Sequence, residues 1–204
     1  HRVPLVADLH LPVSGGSLVE MLGGPVGPVH WTRSHIVVDR THEYPLKLSG
    51  SLEKDGPDGQ QMIIGMGRLY DLYGMFRHMG SRFFERNIRH SLPEDGSVNR
   101  VLQKAFRDIG IDKKLDPAMF AFNHNGVTFS AQKIEEDGNG YRIIEPRLLN
   151  GAQTITTMAR FIEKNKERDD IETIKDRLKR IEVICKVITQ ADDPFITTVT
   201  INNN

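Results

Sequence analysis

At 204 residues the chain can bury roughly 70% of its unfolded surface, which suits one large domain or two small ones. Its 27 Lys plus Arg balance 27 Asp plus Glu, so no bulk field steers it to DNA or to a membrane, although a local basic face stays open. A single cysteine excludes an internal disulfide, and no apolar run approaches the roughly 18 residues that a membrane span needs.

A composition of 38% hydrophobic and 26% charged residues is that of a soluble globular domain, and a cytoplasmic location is expected. The first residue is His1 rather than Met and the last are asparagines, which reads as a fragment of a longer protein. Residues 1–62 alternate short apolar runs with turn clusters such as Gly56-Pro57-Asp58-Gly59, the pattern of a strand-rich segment. Val3 to Leu9, Ser34 to Val38 and Tyr44 to Leu52 are its strand candidates. His30, His35 and His42 match no zinc spacing, so no metal site is expected.

A second unit is expected over 63–204, helical over 67–110 and α+β over 118–204. From Gly67 to Gly80, Leu69, Leu72, Tyr73, Phe76 and Met79 recur at helical period. Ser97 and Gly110 cap a helix over about Val98 to Ile109, with Val101, Leu102, Ala105 and Phe106 inward. Across these helices and the segment that joins them, Arg77, Arg82, Arg86, Arg89, Arg100, Lys104 and Arg107 outnumber the acids. An arginine can clasp a phosphate through two parallel hydrogen bonds, and it can equally belong to a solvated helix face.

Asp116-Pro117 is a cap followed by a first-turn proline, so a short helical turn delivers Phe120 and Phe122. Val127 to Ile134 is strand-like, the linker Glu135 to Gly140 turns a hairpin, and Tyr141 to Ile144 returns. Leu148-Leu149 resumes the sheet, and a helix begins near Gln153 with Ile155, Met158, Ala159 and Ile162 inward. A further helix ends near Arg180, Ile181 to Thr189 is the clearest strand, and Asp193-Pro194 opens a last helix. The class is α+β, a small mixed sheet with flanking helices.

Two Asn-Gly turns, Asn125-Gly126 and Asn150-Gly151, mark the candidate site. Gly reaches positive φ without a Cβ clash, and a sharp turn that leads into a helix adds its N–H groups to the unsatisfied donors of the first helical turn. Gln153 and Thr154 either cap that helix or contact a ligand. His124, between Asn123 and Asn125, either orients a ligand or acts as a base near pH 7, or the flanking asparagines bond their own backbone. Cys185 lies on an apolar strand and reads as a small buried hydrophobe.

Arg86-Asn87-Ile88-Arg89, Asn99, Asn123-His124-Asn125-Gly126-Val127-Thr128 and Leu149-Asn150-Gly151-Ala152-Gln153-Thr154, in that order, resemble the AIPR (abortive infection phage resistance) family over roughly Met62 to Asn204. The element order is also similar to the ParB and sulfiredoxin-like fold, whose members place a phosphate-binding loop at the start of such a helix. Members of that fold that bind nucleotides carry a basic residue in the loop, where this chain has Ala152, Gln153 and Thr154. The charge must then come from Arg86, Arg89 or Arg147, or the ligand is not a phosphate.

The resemblance implies a phage-defence protein that binds a nucleotide, with or without Mg, or a nucleic-acid phosphate, with hydrolysis left open. Its ligand residues would be Arg86, Asn87, Arg89, Asn123, Asn125, Gly126, Asn150, Gly151, Gln153 and Thr154, with His124 the one candidate for catalysis. A second reading is a non-enzymatic DNA- or RNA-binding module acting through 77–107. A third is a structural domain that forms a homo-oligomer or binds other parts of a larger effector. The chain contains no G-x-x-x-x-G-K-[ST] loop, and Gly65-Met66-Gly67 lacks the third glycine of a dinucleotide fingerprint.

Overall fold

The computed structural model describes residues 41–87 and 97–202, within a compact unit that spans Arg40–Asn204. The strand candidates Val3 to Leu9 and Ser34 to Val38, with His30, His35 and Arg89, lie outside the described residues. The fold is α+β, with a three-stranded and a five-stranded sheet.

The Tyr44 to Leu52 run is two strands. β1 (Glu43–Leu46) joins the small sheet and β2 (Leu48–Asp55) the large one. Leu46 and Leu48 are both buried, and Lys47 between them carries the chain from one sheet to the other. β3 (Gln61–Arg68) pairs antiparallel with β2 and with β8 (Glu182–Thr189), so the expected boundary at 62 falls inside a strand. β8 alternates buried Val183, Cys185 and Val187 with residues facing away, the period-2 signature of a sheet that covers a core.

α1 (Leu69–Met79) follows β3 directly. Leu69, Leu72, Tyr73 and Met79 are buried as the period requires, Met75 joins them, and Phe76 is half-buried against Phe84 at a ring distance of 4.8 Å. A 3-10 turn over Gly80–Phe84 buries Phe83 and Phe84 and packs against β7 (Arg147–Asn150). α2 (Ser97–Gly110) directs Leu102, Phe106 and Ile109 inward, but Val101 is 67% exposed. Buried Asn99 holds the core-facing place nearest the helix start, its Oδ1 accepting from Thr157 Oγ1 at 3.3 Å, and Val101 lies on the opposite side.

The Asp116 carboxylate caps a 3-10 helix over Pro117–Asn123 through the Ala118 N–H at 2.8 Å. This turn buries Phe120, stacked on Phe106 at 5.5 Å, and leaves Phe122 80% exposed. The turn packs on β8 and feeds β4 (Val127–Ser130). The run expected to continue to Ile134 breaks after Ser130. β4 runs parallel to β8 and antiparallel to β7, and is buried at every position because it lies between those two strands, under the helices. The hairpin belongs to the other sheet: β5 (Lys133–Asp137) and β6 (Gly140–Ile144) turn at Gly138-Asn139, and Glu135 to Asp137, expected as linker, are strand.

α3 (Ala152–Lys164) starts two residues after β7 ends and buries Ile155, Met158, Phe161 and Ile162; Ala159 is half-buried. It packs against α1 and α2, and α4 (Ile171–Leu178) packs against α2. α5 (Asp193–Asn202) closes the described chain and lies against β7. Cys185 is fully buried in β8, and burial pushes its thiol up to about 12, so it is protonated and inert at neutral pH. Among the described residues no helix is long and apolar enough to cross a membrane.

Candidate functional site

In register, Asn150 at the end of β7 lies opposite Thr128 near the start of β4, so the two Asn-Gly turns come to the same end of these adjacent strands of the large sheet. Gly126 and Gly151 have φ of 84° and 102°, and neither asparagine before them does, so the glycines alone carry the left-handed backbone. Close approach forbids a side chain at both. A Cβ on Gly126 would stand 2.8 Å from the Ile184 carbonyl oxygen, and one on Gly151 would stand 2.9 Å from Val127 Cγ2.

His124 ties the two turns together. Gly126 N–H donates to His124 Nδ1 at 3.0 Å, which requires a lone pair on Nδ1 and places the proton on Nε2. Nε2–H then donates to Thr154 Oγ1, 2.7 Å away in the first turn of α3. The ring also stacks on Phe120 at 5.2 Å, and burial holds the imidazole down at about 4, so it is neutral at pH 7. Both ring nitrogens are therefore engaged inside the protein, and no lone pair faces outward to take a proton.

At the start of α3, Asn150 Oδ1 accepts from the Gly151 N–H at 2.8 Å, while the Thr154 and Ile155 N–H groups turn back to the Gly151 carbonyl at 3.1 and 3.3 Å. Among the described residues nothing accepts from the amides of Ala152 and Gln153, the two donors that remain at this helix N-terminus. Asn87 is buried, and its Nδ2 donates to the Leu149 carbonyl at 3.0 Å, which fixes the last residues of β7. Asn123 Nδ2 donates to the Met119 carbonyl at 3.3 Å and closes the preceding 3-10 helix.

These elements enclose a cavity of about 450 Å³. Asn87, Asn123, His124, Asn125, Gly126, Asn150, Gly151, Gln153 and Thr154 all line it, so most of the residues chosen from sequence come together. Its remaining wall is apolar: Val98, Val101 and Leu102 from α2, with Ala152. Sequence reading missed that wall because a valine on a helix gives no sign of facing a cavity rather than a core. The described lining carries no Lys, Arg, Asp or Glu, and with His124 neutral it is uncharged.

Arg86 does not join this cavity. It pairs with Asp193 at 2.7 Å, and Arg147 is held by Glu85 at 3.1 Å and Glu145 at 2.8 Å. Much of the basic surface over 77–107 is neutralised in the same way: Arg82 pairs with Glu145, Lys104 with Asp108 and Arg107 with Asp112, while Arg77 lies over the Tyr73 ring at 6.0 Å. Among the described residues no group of His, Cys, Asp and Glu is placed to hold a metal ion.

A family model described as AIPR protein matches residues 84–204 and so takes in every residue of both turns. No curated protein and no solved structure matches the chain.

Proposed function

This chain belongs to the AIPR family, which suggests a role in phage defence, and we propose that its Asn-Gly cavity binds a nucleotide, free or as a unit of a nucleic acid. The observation that carries this reading is the convergence of both turns on one cavity whose walls are amide on one side and apolar on the other. A nucleobase has that character, with flat apolar faces and a hydrogen-bonding edge. Asn125 and Gln153 offer both donors and acceptors to the edge, with Asn150 beside them, and Val98 and Val101 offer a surface to the face. The Ala152 and Gln153 amides, at the positive end of the α3 dipole, suit the phosphate.

His124 acts here as a positioning residue that locks the first turn to the helix start. With both ring nitrogens engaged His124 has no free lone pair to act as a base, so the nucleotide-hydrolase and nuclease readings would need a base from outside the described lining.

The test is thermal unfolding against a panel of nucleotides and short oligonucleotides, with and without Mg²⁺. A ligand at 100 times its dissociation constant stabilises by about 2.7 kcal/mol, roughly 5 to 10 °C for a domain of this size. Asn150→Ala combined with Gln153→Ala removes two side-chain partners at about 1 kcal/mol each and should weaken binding about 30-fold; because Asn150 Oδ1 also holds the Gly151 N–H, the unliganded midpoint falls by a few degrees, and affinity is compared well below it. Unaltered affinity in that variant would take the loop out of the site. Binding only to oligonucleotides, fading steeply with salt, would favour the basic-module reading instead.

A further inference from the structure

We propose that a second cavity, lined by Arg82, Arg86 and Arg147, binds a phosphate group independently of the Asn-Gly pocket. It measures about 480 Å³, and Glu85, Glu145 and Gln190 also line it. Three guanidinium groups line it, answered by Glu85, Glu145 and, from just outside the lining, Asp193, whereas the described lining of the first cavity carries no charged side chain.

The carboxylates divide into one that holds and two that can yield. Glu145 is 12% exposed and accepts from the His42 N–H at 2.6 Å and from Arg147 at 2.8 Å, with Arg82 at 3.4 Å. Burial alone would raise its carboxyl, but the bonds from His42 and Arg147 outweigh that and keep it below the usual carboxylate range. It is a fixed anchor for two of the three arginines. Glu85 and Asp193 are 57% and 83% exposed. The Arg86–Asp193 pair is open to water on both sides and contributes little, and Glu85, though its partner Arg147 is only 14% exposed, can turn out to solvent, so an incoming phosphate can displace both. The Arg86 guanidinium meets Asp193 through Nη2, and the other face of its fork is suited to two parallel bonds to a phosphate.

The backbone marks the same place. Glu145 and Gln190 have φ of 51° and 53°, and among the described residues Lys113 is the only other non-glycine at positive φ. Left-handed backbone is unfavourable for such residues, and such strain concentrates where a binding wall must be shaped. Here it turns β6 into β7 and ends β8, so that Arg147 and Gln190 reach one cavity.

Titration of the whole chain with inorganic phosphate, followed by ³¹P NMR, tests this. Saturable binding is expected, about tenfold weaker in Arg86→Gln and only partly restored in Arg86→Lys, which keeps the charge and loses the fork. Glu85→Gln should tighten binding several-fold, whereas Glu172→Gln, the same change of charge at a distant ion pair with Lys175, should leave it unchanged. Competition by a mononucleotide assigns the phosphate to a free nucleotide, and competition by an oligonucleotide alone assigns it to a nucleic-acid backbone; either supports the site. Absence of saturable binding, equal effects of Glu85→Gln and Glu172→Gln, or full affinity in Arg86→Gln would overturn it. The Asn150→Ala, Gln153→Ala variant should keep full phosphate affinity, so failure of one cavity is distinguishable from failure of the other.

Discussion

Gly126→Ala lowers the stability of the protein by about 3 kcal/mol, which for a domain of this size moves the thermal midpoint down by roughly 6 to 12 °C. Two costs add. The residue must keep φ near 84°, where a Cβ is strained, and that Cβ falls 2.8 Å from a backbone oxygen of β8, the strand that pairs with β3 and β4. A side chain can rotate away from such an intrusion, but a carbonyl inside a paired strand cannot move without loosening its ladder. Gly138→Ala separates the two costs, because Gly138 is also left-handed, at φ 61°, yet nothing lies within 4 Å of its Cβ position. That variant should lose only about 1 kcal/mol. Equal losses in calorimetry of the two variants would deny that close packing of the turn on β8 matters.

Acidification should weaken the fold through His124. The ring is held at about 4 in the folded protein against an ordinary value of 6.5, so between those pH values the unfolded chain binds the extra proton and the folded chain does not. Stability from this group is complete above pH 6.5, falls as the pH drops through the window, and is lost below about 4. At about 1.4 kcal/mol per pKa unit the full effect is roughly 3 kcal/mol. The cause of the depression is burial of the ring, and on protonation Nδ1 can no longer accept from the Gly126 N–H, so the first turn is released from the helix start. Urea unfolding at pH 7 and pH 4 of the wild type and His124→Gln isolates the contribution, because carboxylates such as Glu145 titrate in both proteins and cancel. The wild type should lose roughly 3 kcal/mol more than the variant, and equal losses would contradict an imidazole held neutral by burial.

The turns and the helices were legible in the sequence, because a Gly after Asn and a 3.6-residue period report local backbone geometry. Gly126, Gly151, the start of α3 and β8 lie where their local chemistry puts them. Sheet membership was not legible. Strand periodicity states which face is buried and says nothing about which sheet a strand joins, so the Val127 to Ile134 run hides a break between β4 and β5, and Tyr44 to Leu52 hides the crossing at Lys47. The fate of the arginines was equally invisible. Arg86 and Arg147 are answered by Asp193, Glu85 and Glu145, residues that tertiary packing alone brings beside them. His124 showed its importance by position, but its role depends on Thr154, thirty residues away, and on burial that no local pattern encodes.

Of the arginines expected to supply charge to the Asn-Gly loop, Arg86 and Arg147 line the other cavity and Arg89 lies outside the described residues, so the described lining of the loop offers a nucleobase an uncharged surface. The ParB and sulfiredoxin-like likeness has no solved neighbour to rest on, and nothing in the proposed binding depends on it.

The most direct measurement is a ¹H–¹⁵N titration of the protein with single nucleotides, read at the backbone amides of Gly126, Gly151, Ala152 and Gln153. Binding at the Asn-Gly cavity predicts that these four amides move together and saturate with one dissociation constant, with Ala152 and Gln153 shifting furthest because they donate to the ligand. Saturable shifts confined to residues elsewhere, or no shift at these amides with any nucleotide, would contradict it.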